Sequence, residues 1–291
     1  MNQLSPDSIE NNLLAIQQGQ EGAVASVGGM LPVIGAAVDE AVQRLGGSQG
    51  RIIYIGAGTP GRLGVQDGVE LRPTYGWLRV AFALAGGDVA LQRSVEGAED
   101  DSAAARARIV ELNVGPDDVC IALSASGKTP YTVAACEEAR NTGALTIGIA
   151  CNDNSPLLLA AGHKVFLDSG AEPVDGSTRM NAGTAQKIAL NMISTATMIK
   201  LGRVYDGHMV FVQPTCAKLV TRSKDIIRRI SGCDEATATR VFNEAAALGD
   251  EERHVPAAIL AATGGIDVTA AAKLLKDNSD HFGQAMKALR P

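Results

Sequence analysis

The sequence contains no apolar run approaching about 18 residues, which excludes an ordinary membrane-spanning helix. Its opening residues, MNQLSPDSIENN, hold no basic stretch followed by an apolar one. No signal peptide is therefore expected, and the chain is expected to be cytoplasmic. Positive charge is also scarce: 26 Lys and Arg stand against 32 Asp and Glu, a net of −6. A net negative chain is a poor electrostatic fit to nucleic acid, which needs clustered cations, so that partner class is set aside. The four histidines, His163, His208, His254 and His281, are scattered with no three- or four-residue spacing between them, so no metal site is expected. The five cysteines (Cys120, Cys136, Cys151, Cys216, Cys233) are odd in number and form no Cys-x-x-Cys pair. They read as buried free thiols of a reducing compartment. Aromatics are only 3% of the chain, yet 46% apolar and 20% charged residues place it among globular proteins. Its 291 residues allow one large domain and a smaller one.

Apolar spacing supplies the organisation. Val24, Val27, Leu31, Ile34, Val38, Ala41 and Leu45 fall at steps of three and four and predict one amphipathic helix ending at Gly46-Gly47. Five nearly continuous apolar runs follow, at 51–55, 78–85, 119–123, 144–150 and 164–167. Their patterning suits strands buried on both faces, hence a parallel sheet. Helical stretches at 103–112 and 131–141 alternate with them, so the fold class expected is α/β, a doubly wound, mostly parallel five-stranded sheet. A long helix is predicted over 181–201. Beyond Gly207 only short helices recur, near 216–230, 234–248, 255–262, 267–275 and 281–289. The expected division is an N-terminal helical segment (1–46), a ligand-binding domain (47–224) and a small all-helical domain (225–291).

Doubly wound sheets bind ligands beyond the carboxyl ends of their strands, so the loops there carry the functional reading. Gly56-Ala57-Gly58-Thr59-Pro60-Gly61 matches G-x-G-x-x-G, the dinucleotide fingerprint. Pro60 removes one N–H donor from that loop, and Asp88 is only a loose ribose partner. Ser124-Ala125-Ser126-Gly127-Lys128-Thr129-Pro130 follows the third run. Its Gly-Lys-Thr ending imitates a P-loop, but the glycine that motif needs five residues earlier is Ala122. Three hydroxyls around a glycine, with proline opening a helix, instead make a phosphate cradle or an ordinary helix cap. Asp175-Gly176-Ser177-Thr178-Arg179 supplies further hydroxyls. Donors on several sides suit a sugar phosphate better than a dinucleotide. Two acidic stretches, Asp67–Glu70 and Glu96–Asp100, adjoin strands on the same side, where a pair of carboxylates can divide proton abstraction from proton donation.

The stretches RIIYIGAGTPGRLGVQD, VEGAEDD, ALSASGKTPY and GSTRMNAGTAQKIALNMIST resemble the sugar isomerase (SIS) domain and, within it, the N-acetylmuramic acid 6-phosphate etherases. The resemblance covers nearly the whole chain from about residue 40, and the tail resembles that family's small ubiquitin-associated-like module. It implies a lyase that needs no cofactor or metal, releases D-lactate from the sugar phosphate, and acts as a homodimer in amino-sugar and peptidoglycan recycling. It also implies roles: Glu70 protonates the departing lactate, and Glu99 removes the proton on carbon 2. Gly58, Thr59, Ser124, Ser126, Gly127, Thr129, Ser177 and Thr178 hold the substrate. The chain departs from the family at Pro60, where serine is usual, and in the neighbours of Glu70. Two alternatives stay open: a non-catalytic sugar-phosphate sensor like the related glucokinase regulatory protein, and an aldose–ketose isomerase. Retention of both glutamates favours the enzyme, and Pro60 leans toward the sensor.

Overall fold

The computed structural model describes Leu4 and residues 6–289. Two helices open it, α1 (Ile9–Gly28) and α2 (Leu31–Leu45). The single helix expected from Val24 to Leu45 is therefore two. The break falls at Gly29-Met30, and Pro32 sits in the first turn of α2, where its missing N–H costs nothing. Most of the apolar stripe serves this chain's own core, since Val27, Ile34, Val38, Ala41 and Leu45 are buried. Val24 and Leu31 are exposed.

The five apolar runs form the strands β1 (Ile52–Gly56), β2 (Val80–Leu84), β3 (Val119–Leu123), β4 (Leu145–Ala150) and β5 (His163–Phe166). All neighbours pair parallel, in the order β2-β1-β3-β4-β5, so every carboxyl end lies on one edge. Between them run α3 (Gly58–Tyr75), α4 (Ser102–Glu111), α5 (Pro130–Asn141) and α6 (Pro156–Ala160); α7 (Asn181–Lys200) follows. Alternation along the strands sorts the two faces. Ile53, Ile55, Cys120 and Ala122 join Ala105, Ile109, Ala135 and Leu157 of α4, α5 and α6 in one core. On the opposite face α3 comes down on Tyr54 and Leu123. A Cβ at Gly64 would meet both side chains within 3.4 Å, and one at Gly61 would lie 2.8 Å from the carbonyl carbon of Gly56. Glycine lets helix and strand approach that closely, so Gly61 of the fingerprint and Gly64 one turn on serve packing.

An ion pair fixes the opposite edge of the sheet. Asp118 accepts from the Arg51 backbone N at 2.8 Å, from its Nε at 3.2 Å and from its Nη2 at 2.7 Å, and also from Gly115 N at 3.0 Å. Burial pushes the Asp118 carboxyl upward, but these four donors outweigh it and hold the pKa below the usual carboxylate value.

The chain divides into two compact units, one of Met1–Gly68 with Arg79–Ser194, the other of Val69–Leu78 with Thr195–Pro291. The second holds α8 (Ala217–Ser231), α9 (Glu235–Ala246), α10 (His254–Gly264), α11 (Val268–Asp277) and α12 (Phe282–Ala288). Its core gathers Phe211, Ile227, Val241, Ile259, Leu260 and Phe282. Arg203, 3% exposed, is a buried cation of this unit. Its guanidinium donates to Glu252 Oε1 at 2.5 Å and to the Tyr75 carbonyl at 3.3 Å, and lies 4.3 Å from the Phe211 ring centroid. No described helix is long and apolar enough to cross a membrane. All five cysteines are free; Cys120 and Cys136 are buried as expected, but Cys216 is exposed. Burial pushes the Cys136 thiol up to about 12, so it is inert at neutral pH.

Candidate active site

The loop after β3 is the best-defined polar feature of the carboxyl edge. Ser124 Oγ, itself buried, lies 2.8 Å from Thr129 Oγ1 and 3.3 Å from Ser126 Oγ. Ser124 Oγ also accepts from Gly127 N at 3.0 Å, and Ser126 Oγ from Lys128 N at 3.1 Å. Thr129 does not act as an ordinary side-chain cap. It is the N-cap residue of α5, yet its hydroxyl makes no capping bond and turns to Ser124. The first N–H groups of a 12-residue helix thus stay without a side-chain cap, beside three converging hydroxyls. Aligned peptide dipoles and unpaired donors at such an end favour a bound anion. Gly127 cannot be replaced lightly, because its φ is +65° and a Cβ there would lie 2.1 Å from Ser155 Oγ.

Residues that the sequence did not single out shape this loop. Asn152 Nδ2 donates to the Ser126 carbonyl at 3.2 Å, Cys151 N to the Ala125 carbonyl at 2.9 Å, and Leu157 N to the Gly127 carbonyl at 3.0 Å. The segment after β4 therefore holds the carbonyls of this loop from behind. Ser155 Oγ, buried behind Gly127, has no hydrogen-bond partner.

The other hydroxyl loop approaches the glycine loop. A Cβ at Gly183, in the first turn of α7, would lie 3.7 Å from Thr59 Cγ2 and 3.6 Å from the Thr178 carbonyl. This places the amino ends of α3 and α7 side by side, with Ser177 and Thr178 half-buried. The end of α7 is already neutralised. Glu172 accepts from Asn181 N and Ala182 N, each at 2.9 Å, so its carboxylate occupies the place an external anion would take. The α5 end, by contrast, has no side-chain cap on its first N–H groups. The α1 helix is tied to the same corner through Gln20, whose Nε2 donates to Asn181 Oδ1 at 3.0 Å and whose Oε1 accepts from Thr184 Oγ1.

The two glutamates differ in position. Glu99 lies in a short 3-10 helix, Ala98–Asp100, which packs against α5. It is exposed, on the connection leaving the carboxyl end of β2. Glu70 is not in a loop after a strand. It lies within α3, eleven residues past Thr59, about 16 Å along a helix rising 1.5 Å per residue, and is also exposed. One turn earlier, Asp67 is buried, accepting from Tyr54 Oη at 2.6 Å and from Ser194 Oγ at 3.2 Å. Burial pushes its carboxyl up. Among the described residues, no group of three or more His, Cys, Asp or Glu side chains is arranged to hold a metal ion.

Comparison with known proteins first gives the class. Residues 34–140 match the model of the glucokinase regulatory protein N-terminal SIS domain, and residues 100–196 match that of the SIS domain. A candidate phosphosugar isomerase from Bacteroides fragilis shares the fold at a TM-score of 0.52 and 18% identity, over 67% of this chain and 94% of that one. The N-acetylmuramic acid 6-phosphate etherase of Deinococcus radiodurans is 42% identical over 285 residues, 97% of this chain and 90% of the relative. The etherase of Streptomyces avermitilis is 41% identical over 276 residues, 94% of this chain and 86% of the relative. The chain belongs to the N-acetylmuramic acid 6-phosphate etherase family.

Proposed function

We propose that this chain cleaves the D-lactyl ether of N-acetylmuramic acid 6-phosphate, giving N-acetylglucosamine 6-phosphate and D-lactate. The observation that carries the reading is the hydroxyl cradle at the uncapped end of α5, Ser124, Ser126 and Thr129 around Gly127, in a chain of this family. It supplies donors suited to a phosphoryl group without a metal. Thr59, Ser177 and Thr178, grouped at the neighbouring ends of α3 and α7, are the candidates for the sugar hydroxyls, with Gly58 allowing close approach.

In this reading the open-chain aldehyde is the reactive form. Glu99 takes the carbon-2 proton, and the neighbouring carbonyl accepts the electron pair. The bond from carbon 3 to the ether oxygen then breaks, and Glu70 gives its proton to that oxygen as lactate departs. Water adds at carbon 3 of the unsaturated aldehyde, and carbon 2 is reprotonated. Each carboxyl ends in its starting state, and the sum is substrate plus water to two products.

In this reading Glu70, in the later turns of α3, serves the pocket of a second copy in a homodimer. Exposed Ile9, Leu13, Leu14, Val24 and Leu31 along α1 and α2 offer apolar surface for a second copy to bury. The reading also assigns a cytoplasmic location and the three-part division at residues 46 and 224. Mixing the purified protein with N-acetylmuramic acid 6-phosphate and measuring D-lactate tests the activity. Tight binding without lactate would leave a sensor, and carbon-2 exchange without lactate an isomerase-like protein.

A further inference from the structure

The second unit carries a charge distribution that the etherase reading does not use. Helix α8 holds Lys218, Arg222, Lys224, Arg228 and Arg229 against one acid, Asp225, a local net of 5 − 1 = +4 in a chain of net −6. Ser223, Ile226 and Ile227 are its buried side. Lys218, Arg222, Asp225 and Arg229 follow at steps of four, three and four, so they share one stripe. That stripe lines a cavity of about 430 Å³, closed on another side by His208 and Met209. His208 is fixed there by a tight turn: its N donates to the Tyr205 carbonyl at 2.9 Å, and its carbonyl accepts from Tyr205 N at 3.0 Å. Asp225 makes one long ion pair, 3.8 Å to Arg228, and Lys224 lies 5.6 Å over the Phe242 ring. Lys218, Arg222 and Arg229 have no ion-pair or hydrogen-bond partner among the described residues.

Cations stacked at helical spacing repel one another, and here only Asp225 offsets them, through that one long pair. An anion seated in the hollow removes the repulsion. Guanidinium groups pair with phosphate oxygens in a two-pronged geometry, and a lysine adds a point charge. The volume lies within the range of small-molecule sites. Asp225 in the lining sets the rest of the chemistry: it repels a continuous phosphate backbone but accepts hydrogen bonds from hydroxyl groups. We infer that the hollow formed by α8 and the Tyr205–His208 turn is a second ligand site, which binds a small phosphate monoester bearing hydroxyl groups. Arg222 and Arg229 hold the phosphoryl group, Lys218 adds charge, and Asp225 receives a hydroxyl.

The four histidines make a local test possible in the full-length protein. Glycerol 3-phosphate is titrated into protein labelled at histidine ring carbons, with the His208 signal assigned from His208→Gln. The expected result is a saturable shift of His208, with His163 and His254 unmoved. Arg222→Gln/Arg229→Gln, whose altered side chains are exposed, should melt like the wild type, release lactate at the same rate and bind at least tenfold more weakly. Glycerol without the phosphate should leave His208 unmoved. A His208 signal that does not saturate, or that moves together with the other histidines as ionic strength rises, overturns the proposal. So does a double variant that titrates as the wild type does.

Discussion

Replacing Gly127 by alanine puts the geometry of the cradle under the sharpest load. Two costs add. An L side chain at φ +65° costs about 1–2 kcal/mol, because its Cβ crowds the following carbonyl. The new Cβ would also lie 2.1 Å from Ser155 Oγ and 2.4 Å from Ser155 Cβ. Ser155 Oγ can rotate away but Ser155 Cβ cannot, so the backbone of one loop must yield, at about 1–3 kcal/mol for overpacking. The expected destabilisation is about 2–5 kcal/mol, read by urea unfolding followed by far-UV circular dichroism. The double variant Gly127→Ala/Ser155→Gly removes the collision and leaves the backbone strain. A double-mutant cycle should therefore return a coupling of about 1–3 kcal/mol. The phosphate affinity of Gly127→Ala should fall as well, because its N–H anchors Ser124 Oγ. A single variant within about 0.5 kcal/mol of the wild type, an ordinary surface value, would refute this account of the loop.

Ser126→Ala removes one exposed cradle hydroxyl, and should raise KM about tenfold with kcat nearly unchanged, as expected for a group that binds ground and transition states alike. Glu70→Ala and Glu99→Ala should each fold normally and lose several orders of magnitude in turnover. Mixed in equal amounts and reassociated, the two should regain about a quarter of wild-type activity, because half the dimers then hold one intact site of two. No recovery would put both glutamates in one subunit. Two groups make the fold lose stability in acid, each over its own pH range. Burial lowers the His254 pKa despite its 2.9 Å bond to the Phe242 carbonyl, so the unfolded chain binds its proton more readily. Stability should therefore fall as pH drops below about 6.5, and His254→Gln should flatten that slope. The lowered Asp118 pKa contributes stability above about pH 4 that is lost below it. Asp118→Asn should cost about 2–3 kcal/mol at neutral pH, less than a fully buried pair because Arg51 is 30% exposed, and little in strong acid.

The sheet was legible because its central strands β1, β3 and β4 are buried on both faces: Val119–Leu123 shows as an unbroken apolar run and coincides with β3 residue for residue. The first helix misled because its three-four spacing continues across Gly29-Met30, where the backbone breaks although the pattern does not. The hydroxyl loop was visible as a motif, but whether it caps or cradles depends on where Thr129 Oγ1 points, a fact of tertiary structure. The same holds for Glu172, which reaches Asn181 N across nine residues, and for Asn152, whose carbonyl partner is 26 residues away. Neither spacing belongs to a local pattern. The Asp67–Glu70 stretch read as adjoining a strand on the ligand side, yet it lies inside α3 together with Gly68 and Pro73. Gly68 is there to fit the Tyr54 and Phe82 rings, and Pro73 is tolerated close to the carboxyl end of the helix.

Which carbon–oxygen bond breaks defines the elimination mechanism, and isotopes read it directly. Turnover of N-acetylmuramic acid 6-phosphate in water enriched in both deuterium and oxygen-18 should give a sugar phosphate with deuterium at carbon 2 and oxygen-18 at carbon 3. The D-lactate should carry only its original oxygen. Oxygen-18 in the lactate, with hydrogen retained at carbon 2, would contradict it.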